Sequence, residues 1–151
     1  MMDDALDLLL DADGDLDLSI GDAQLVYYDA QGLAQRLQTR LRLYLAEWAF
    51  DVRAGVPWRE QILVRGRDAQ PARAVLTAQI LSCPGVVGIE VLTIDLDPAS
   101  RRLTFAFTAL VQPPPTGLED ASDPLVVTGS GALASDLIEL TCLVEGPGGF
   151  L

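Results

Sequence analysis

At Pro84-Gly85 the spacing of apolar side chains changes. Ahead of that point Leu33, Leu37, Leu41, Tyr44, Leu45 and Trp48 fall at intervals that place them on one face of an α-helix. Behind it, Val87, Ile89, Val91 and Thr93 alternate with Gly88, Glu90, Leu92 and Ile94. Leu103, Phe105 and Phe107 likewise alternate with Thr104, Ala106 and Thr108, which is the period of a strand. The Asp97-Pro98-Ala99-Ser100 turn between the two runs makes them an antiparallel hairpin. Bulky Leu103, Phe105 and Phe107 suit a face under helices, so the fold class is α+β: two main helices packed on a small, mostly antiparallel sheet, with a C-terminal strand-bearing extension.

The first helix is expected from Asp29, its N-cap, to about Asp51, and Gly55-Val56-Pro57 stops it. Trp58 to Val64 reads as a short helical connector. Asp68 and Pro71 announce a second helix to about Ser82, with Val75, Leu76, Ile80 and Leu81 apolar. Toward the start of the chain, Asp15 to Ile20 alternates strictly and predicts a half-buried strand with Leu16, Leu18 and Ile20 inward. Gly21-Asp22 is a turn, and Leu25 to Tyr28 is a second short strand. Pro113-Pro114-Pro115 is an extended spacer, dividing residues 1–111, an α+β domain with an acidic N-terminal arm, from an extension over 112–151. In the extension, Leu125-Val126-Val127 and Leu137 to Val144 read as strands around a Gly/Ser-rich loop, and Gly146-Pro147-Gly148-Gly149 as a flexible end. Two courses are open to these strands. They pair with another chain through Leu125, Val126, Val127, Leu137, Ile138 and Leu140, or they fold back as the last strands of the parent sheet.

Charge narrows the function. The 151 residues carry 22 acids and 10 arginines, with no lysine or histidine, for a net charge of −12. Such a surface repels nucleic acid, and without imidazole no Ser-His-Asp or Cys-His relay can be assembled. Residues 1–30 hold nine Asp and no Arg (−9); residues 31–102 hold all ten Arg against seven acids (+3); residues 103–151 hold six acids and no base (−6). A slightly basic core between two acidic arms suits docking to other protein surfaces. The apolar half of the chain and its mean hydropathy of +0.28 predict a folded protein. No run of 18 apolar residues occurs, and Asp3, Asp4 and Asp7 stand where a signal peptide carries basic residues, so neither membrane insertion nor the usual export route is expected. Cys83 and Cys142 have no CxxC neighbour. One disulfide is an option, and two buried thiols in a reducing cytosol are the favoured one.

Three constellations invite a chemical reading. Asp11, Asp13, Asp15, Asp17 and Asp22 fill positions 1, 3, 5, 7 and 12 of an EF-hand-like window, but position 6, which needs Gly, is Leu16. Solvated aspartates on a strand are the simpler reading, and no metal or cofactor is expected. Glu47 and Asp51, one helical turn apart beside Trp48, could supply the carboxylate pair of a glycosidase, with structural carboxylates again the plainer reading. Arg36 and Arg40, with Arg42 nearby, suit phosphate or an acidic protein partner, against the alternative of a solvated helix face.

The order of several short segments also carries information: Asp13-Gly14-Asp15-Leu16, Gln35-Arg36-Leu37 with Arg40-Leu41, Glu47-Trp48, Gly55-Val56-Pro57, Pro84-Gly85-Val86 and Arg101-Arg102-Leu103. Over about residues 11–111 the chain resembles the small baseplate wedge protein of contractile-tailed bacteriophages, the sheath initiator, often labelled lysozyme-like. Ala46 departs from the pattern, since many members have Gly before Glu-Trp. The resemblance implies a structural virion subunit assembled in the host cytoplasm, present in six copies around the base of the tail tube. Its implied partners are the tail sheath protein, the other wedge subunits and the tube, with strands exchanged between chains. The lysozyme label implies peptidoglycan cleavage, for which Glu47 is the sole candidate acid.

Overall fold

A computed structural model describes residues 7–26, 30–63, 68–97, 99–100, 102–112, 124–134 and 137–145. The expected places of Tyr27, Tyr28, Asp29, Val64, the Pro113–Pro115 spacer and the Gly146–Gly149 end lie outside these residues. In chain order the elements are β1 (Asp7–Leu8), β2 (Leu25–Val26), α1 (Ala30–Arg42), a π-type turn (Trp58–Ile62), α2 (Ala69–Leu81), β3 (Val86–Asp97), β4 (Arg102–Val111), β5 (Leu125–Ala134) and β6 (Leu137–Glu145). The fold is α+β. β1 and β2 form a short antiparallel ladder, and β3-β4-β5-β6 form a four-stranded antiparallel sheet in sequence order.

Leu33, Leu37 and Leu41 bury one stripe of α1, and Ala72, Leu76 and Ile80 one stripe of α2. These stripes meet Leu103, Phe105, Phe107, Ala109 and Val111, the inward face of β4, with Val127, Leu133 and Leu140 from β5 and β6 completing the core. Asp68 starts α2 by accepting the Gln70 N–H on its side chain, 3.0 Å away.

α1 ends at Arg42, about nine residues before the helical period runs out. The backbone beyond it is claimed by another segment: Val56 N–H donates to Leu43 O (2.8 Å) and Leu45 N–H donates to Val56 O (3.0 Å). Gly55 permits this approach, because at its φ of +102° a Cβ would lie 2.3 Å from the Tyr44 carbonyl oxygen. The Trp58 indole then donates to the carbonyl of Leu41 (3.0 Å), one of the acceptors left free by the helix end. Trp58 is therefore the buried tryptophan, while Trp48, expected on the helix face, is half exposed.

The alternation at Asp15–Ile20 does not produce a strand. Leu16, Leu18 and Ile20 are exposed, on turns held by aspartate side chains: Asp11 Oδ1 accepts the N–H groups of Asp13, Gly14 and Asp15, and Asp17 Oδ1 accepts that of Ser19. Short polar side chains that hydrogen-bond their own backbone compete with a strand ladder, and here they prevail.

β3 and β4 form the expected hairpin, with register shifts between Val86 and Gly88 and between Ile89 and Val91. The second shift flips the phase of the strand, so Ile89, Leu92, Ile94 and Leu96 pack on the core while Val87 and Val91 are exposed. At the C-terminal strands the chain returns on itself, β5 lying along β4 and β6 along β5. The Thr128-Gly129-Ser130-Gly131 run continues β5 rather than forming a loop. Gly129 sits opposite Phe107 and Gly131 opposite Phe105, and a Cβ on either would come within 2.3 or 2.6 Å of the ring. The two glycines are the space into which the phenylalanines fit.

Candidate assembly surface

Three sides of α1 have different tasks. Its apolar stripe faces the core. Arg36 and Arg40 lie on the side of α2, beside Cys83, and Arg40 Nη2 donates to the Ser82 hydroxyl (2.8 Å) at the end of that helix. Gln35, Gln38 and Arg42 lie on the opposite polar side. Gln35 accepts the Leu10 N–H (2.9 Å) and donates to the Leu8 carbonyl (2.8 Å), binding the N-terminal arm. Gln38 accepts the Cys142 N–H (3.3 Å), and Arg42 donates to the Leu140 carbonyl (2.9 Å), binding β6.

Between arm, helix and β6 runs a groove of about 950 Å³, lined by Leu9–Ala12 and Gly14, by Gln31, Gln38 and Arg42, by Glu47 and by Thr141–Leu143. Gly14, at φ +92°, lies so close to Arg42 that a Cβ would be 2.8 Å from its guanidinium. Arg42 is thus held between the arm and the sheet edge. Its Nε is buried and has no acceptor among the described residues.

Glu47 stands at the rim of this groove, exposed, with Oε2 accepting the Tyr44 N–H (2.9 Å). It holds the turn after α1. Asp51, its proposed companion, pairs with Arg53 (3.3 Å), and the Arg53 backbone N–H first and its side chain second hold the Asp51 carboxyl below the usual range. Around these residues is an apolar knuckle in which Trp48 and Phe50 meet edge to face at 6.2 Å, with Phe50 91% exposed. Behind it, the Arg59 guanidinium covers the Tyr44 ring at 4.9 Å.

The apolar residues of β5 and β6 divide between core and edge. Val127 and Leu140 are buried, Leu125 and Ile138 pack against the core, and Val126 is half-buried on the other face. Leu137 begins β6, paired with Ala134. Outward from the core β6 presents Glu139, Thr141 and Leu143, while the Leu140 carbonyl and the Cys142 N–H at its edge are held by α1. Cys83 and Cys142 are free thiols. Burial raises both, Cys142 to about 12, while Arg40 and Arg36 oppose the rise at Cys83 and Arg42 opposes it at Cys142. Neither is an activated nucleophile at neutral pH.

Sequence reasoning singled out Arg36, Arg40 and Glu47 and passed over Gln35, Gln38 and Trp58. The signal for the glutamines was present: Gln31, Gln35, Gln38 and Arg42 recur at helical spacing opposite the arginine pair. No comparable signal marks Trp58, whose role follows from where α1 stops.

Sheet edges, a polar helix face that binds backbone and a protruding apolar loop are surfaces for contact, and they define a small α+β assembly module. The model of the contractile injection system sheath initiator family matches residues 6–112. The chain belongs to that family. No curated protein matches it. The matched span closes with β4, so β5 and β6 lie beyond it.

Proposed function

We propose that the chain is a structural subunit of a contractile-tail baseplate, set in six copies around the tube, which joins the other wedge subunits to the first sheath ring and starts sheath assembly. It acts by pairing strands between chains. The observation that carries this reading is a four-stranded antiparallel sheet that ends on β6, in a member of the sheath initiator family. Edge strands are templates for addition, and a partner strand needs backbone rather than particular side chains. In this reading residues 1–111 meet the wedge, and residues 112–151 bring β5 and β6 to the sheath. Arg36 and Arg40 meet acidic surface on a neighbouring subunit, and the resulting particle is a virion tail assembled in the host cytoplasm.

The test is seeded polymerisation. Purified sheath protein is mixed with baseplates carrying or lacking this chain, and sheath growth is followed by light scattering and electron microscopy. The expected outcome is growth from chain-bearing baseplates only. Equal growth from both would remove the initiating role.

A further inference from the structure

In an antiparallel ladder the N–H and C=O of every second residue point to the same side of a strand. Leu140 and Cys142 are two residues apart, and the groups they turn toward α1 are taken by side chains: Arg42 donates to the Leu140 carbonyl and Gln38 accepts from the Cys142 N–H. These two side chains stand where a neighbouring strand would stand. We propose that Gln38 and Arg42 are a latch over the outer edge of β6, which keeps that edge closed in the free subunit and is displaced when an extended strand of the tail sheath protein docks there. This inference rests on the strand-pairing reading given above.

The same helix face shows what a tighter contact looks like. Gln35 alone serves Leu8 and Leu10, both at under 3 Å, and ties down the arm. The contact to β6 is shared between two side chains, one of its bonds is 3.3 Å long, and the buried Arg42 Nε lacks an acceptor among the described residues. The latch supplies one bond to each of Leu140 and Cys142, whereas a docked strand pairs with the N–H and C=O of both. Exchange therefore gains hydrogen bonds. The groove provides the space, and its walls carry Asp11 and Glu47, carboxylates toward which the displaced guanidinium can turn. A closed edge also protects the unassembled subunit, because a bare one would pair with other copies of the chain.

The test compares wild type with a Gln38→Ala/Arg42→Met double variant, in which methionine keeps the apolar stem of Arg42. Association with purified sheath protein is measured by stopped flow, self-association by light scattering, and the integrity of the sheet by amide hydrogen exchange. The double variant is expected to keep the exchange pattern of β3 to β5, to bind sheath protein about tenfold faster, since no rearrangement precedes docking, and to self-associate. A folded double variant that binds at the wild-type rate or slower overturns the latch. Amide exchange on the wild-type complex reads the docking edge without any substitution. New protection at Leu140 on binding sheath protein supports β6 as the docking edge; no change there removes the strand-pairing reading together with the latch.

Discussion

Ala46 has a φ of +65°, the left-handed region where a Cβ is disfavoured, which fits the resemblance noted above, in which many members have Gly at this position. Ala46→Gly should raise stability by about 0.5–1 kcal/mol, the relief of strain being partly offset by a freer unfolded chain; a Tm lower than wild type would contradict this. Trp58→Phe should destabilise by about 1–3 kcal/mol in denaturant titration, because it leaves the buried Leu41 carbonyl without its donor. Asp97 is a residue where acid acts. The Ser100 hydroxyl first, and the Ala99 N–H next, hold its carboxyl below the usual carboxylate range. A carboxylate whose folded pKa is depressed contributes stability above its unfolded pKa, and that contribution is lost as pH falls through the lowered value. The stability difference between wild type and Asp97→Asn should therefore shrink as pH falls through that lowered range, and a constant difference would count against the assignment.

At the level of elements, both limits of α2 were readable, its end near Ser82 included, and the end of α1 was not. Asp68 marks the start of α2 in sequence and in structure, and Asp68→Ala should cost about 1 kcal/mol by loss of the cap, visible as a lower urea midpoint. The end of α1 was hidden because Tyr44, Leu45 and Trp48 keep the helical period while a distant segment, Gly55-Val56, takes the backbone they would need. Local pattern cannot register that competition. The hairpin and the inward face of β4 were legible from period alone, but the phase of β3 changes at its bulge, and Gly129 and Gly131 read as loop residues until their partners across the ladder, Phe107 and Phe105, are known. For the candidate surface, the arginine pair and Glu47 were found by residue type. The edge-binding role of Gln38 and Arg42 depends on α1 lying beside β6, a contact of residues about a hundred positions apart.

For the molecule as a whole, the charge blocks of the sequence predict how assembly responds to salt. In the proposed assembly, exposed aspartates of the arm would meet arginines of the core across subunit boundaries, and such charges are screened beyond about 10 Å at roughly 0.1 M salt. Subunit association measured by sedimentation should weaken as salt rises, and an unchanged sedimentation profile would leave backbone pairing and apolar contact as the supports. Removing residues 113–151 should do more than detach an extension. It takes β5 and β6 away from Phe105, Phe107 and the helices, so the truncated chain should show no cooperative thermal transition.

That β5 and β6 complete the core bears on timing during synthesis. When translation has delivered the chain through β4, both helices exist in sequence but half of their sheet has not yet been made. Domains fold as units while the ribosome works from the N-terminus, and this unit cannot close before its last strand emerges. The edge that β6 carries is therefore born together with the folded state, and a nascent chain from which β6 has not yet emerged has no such edge to offer.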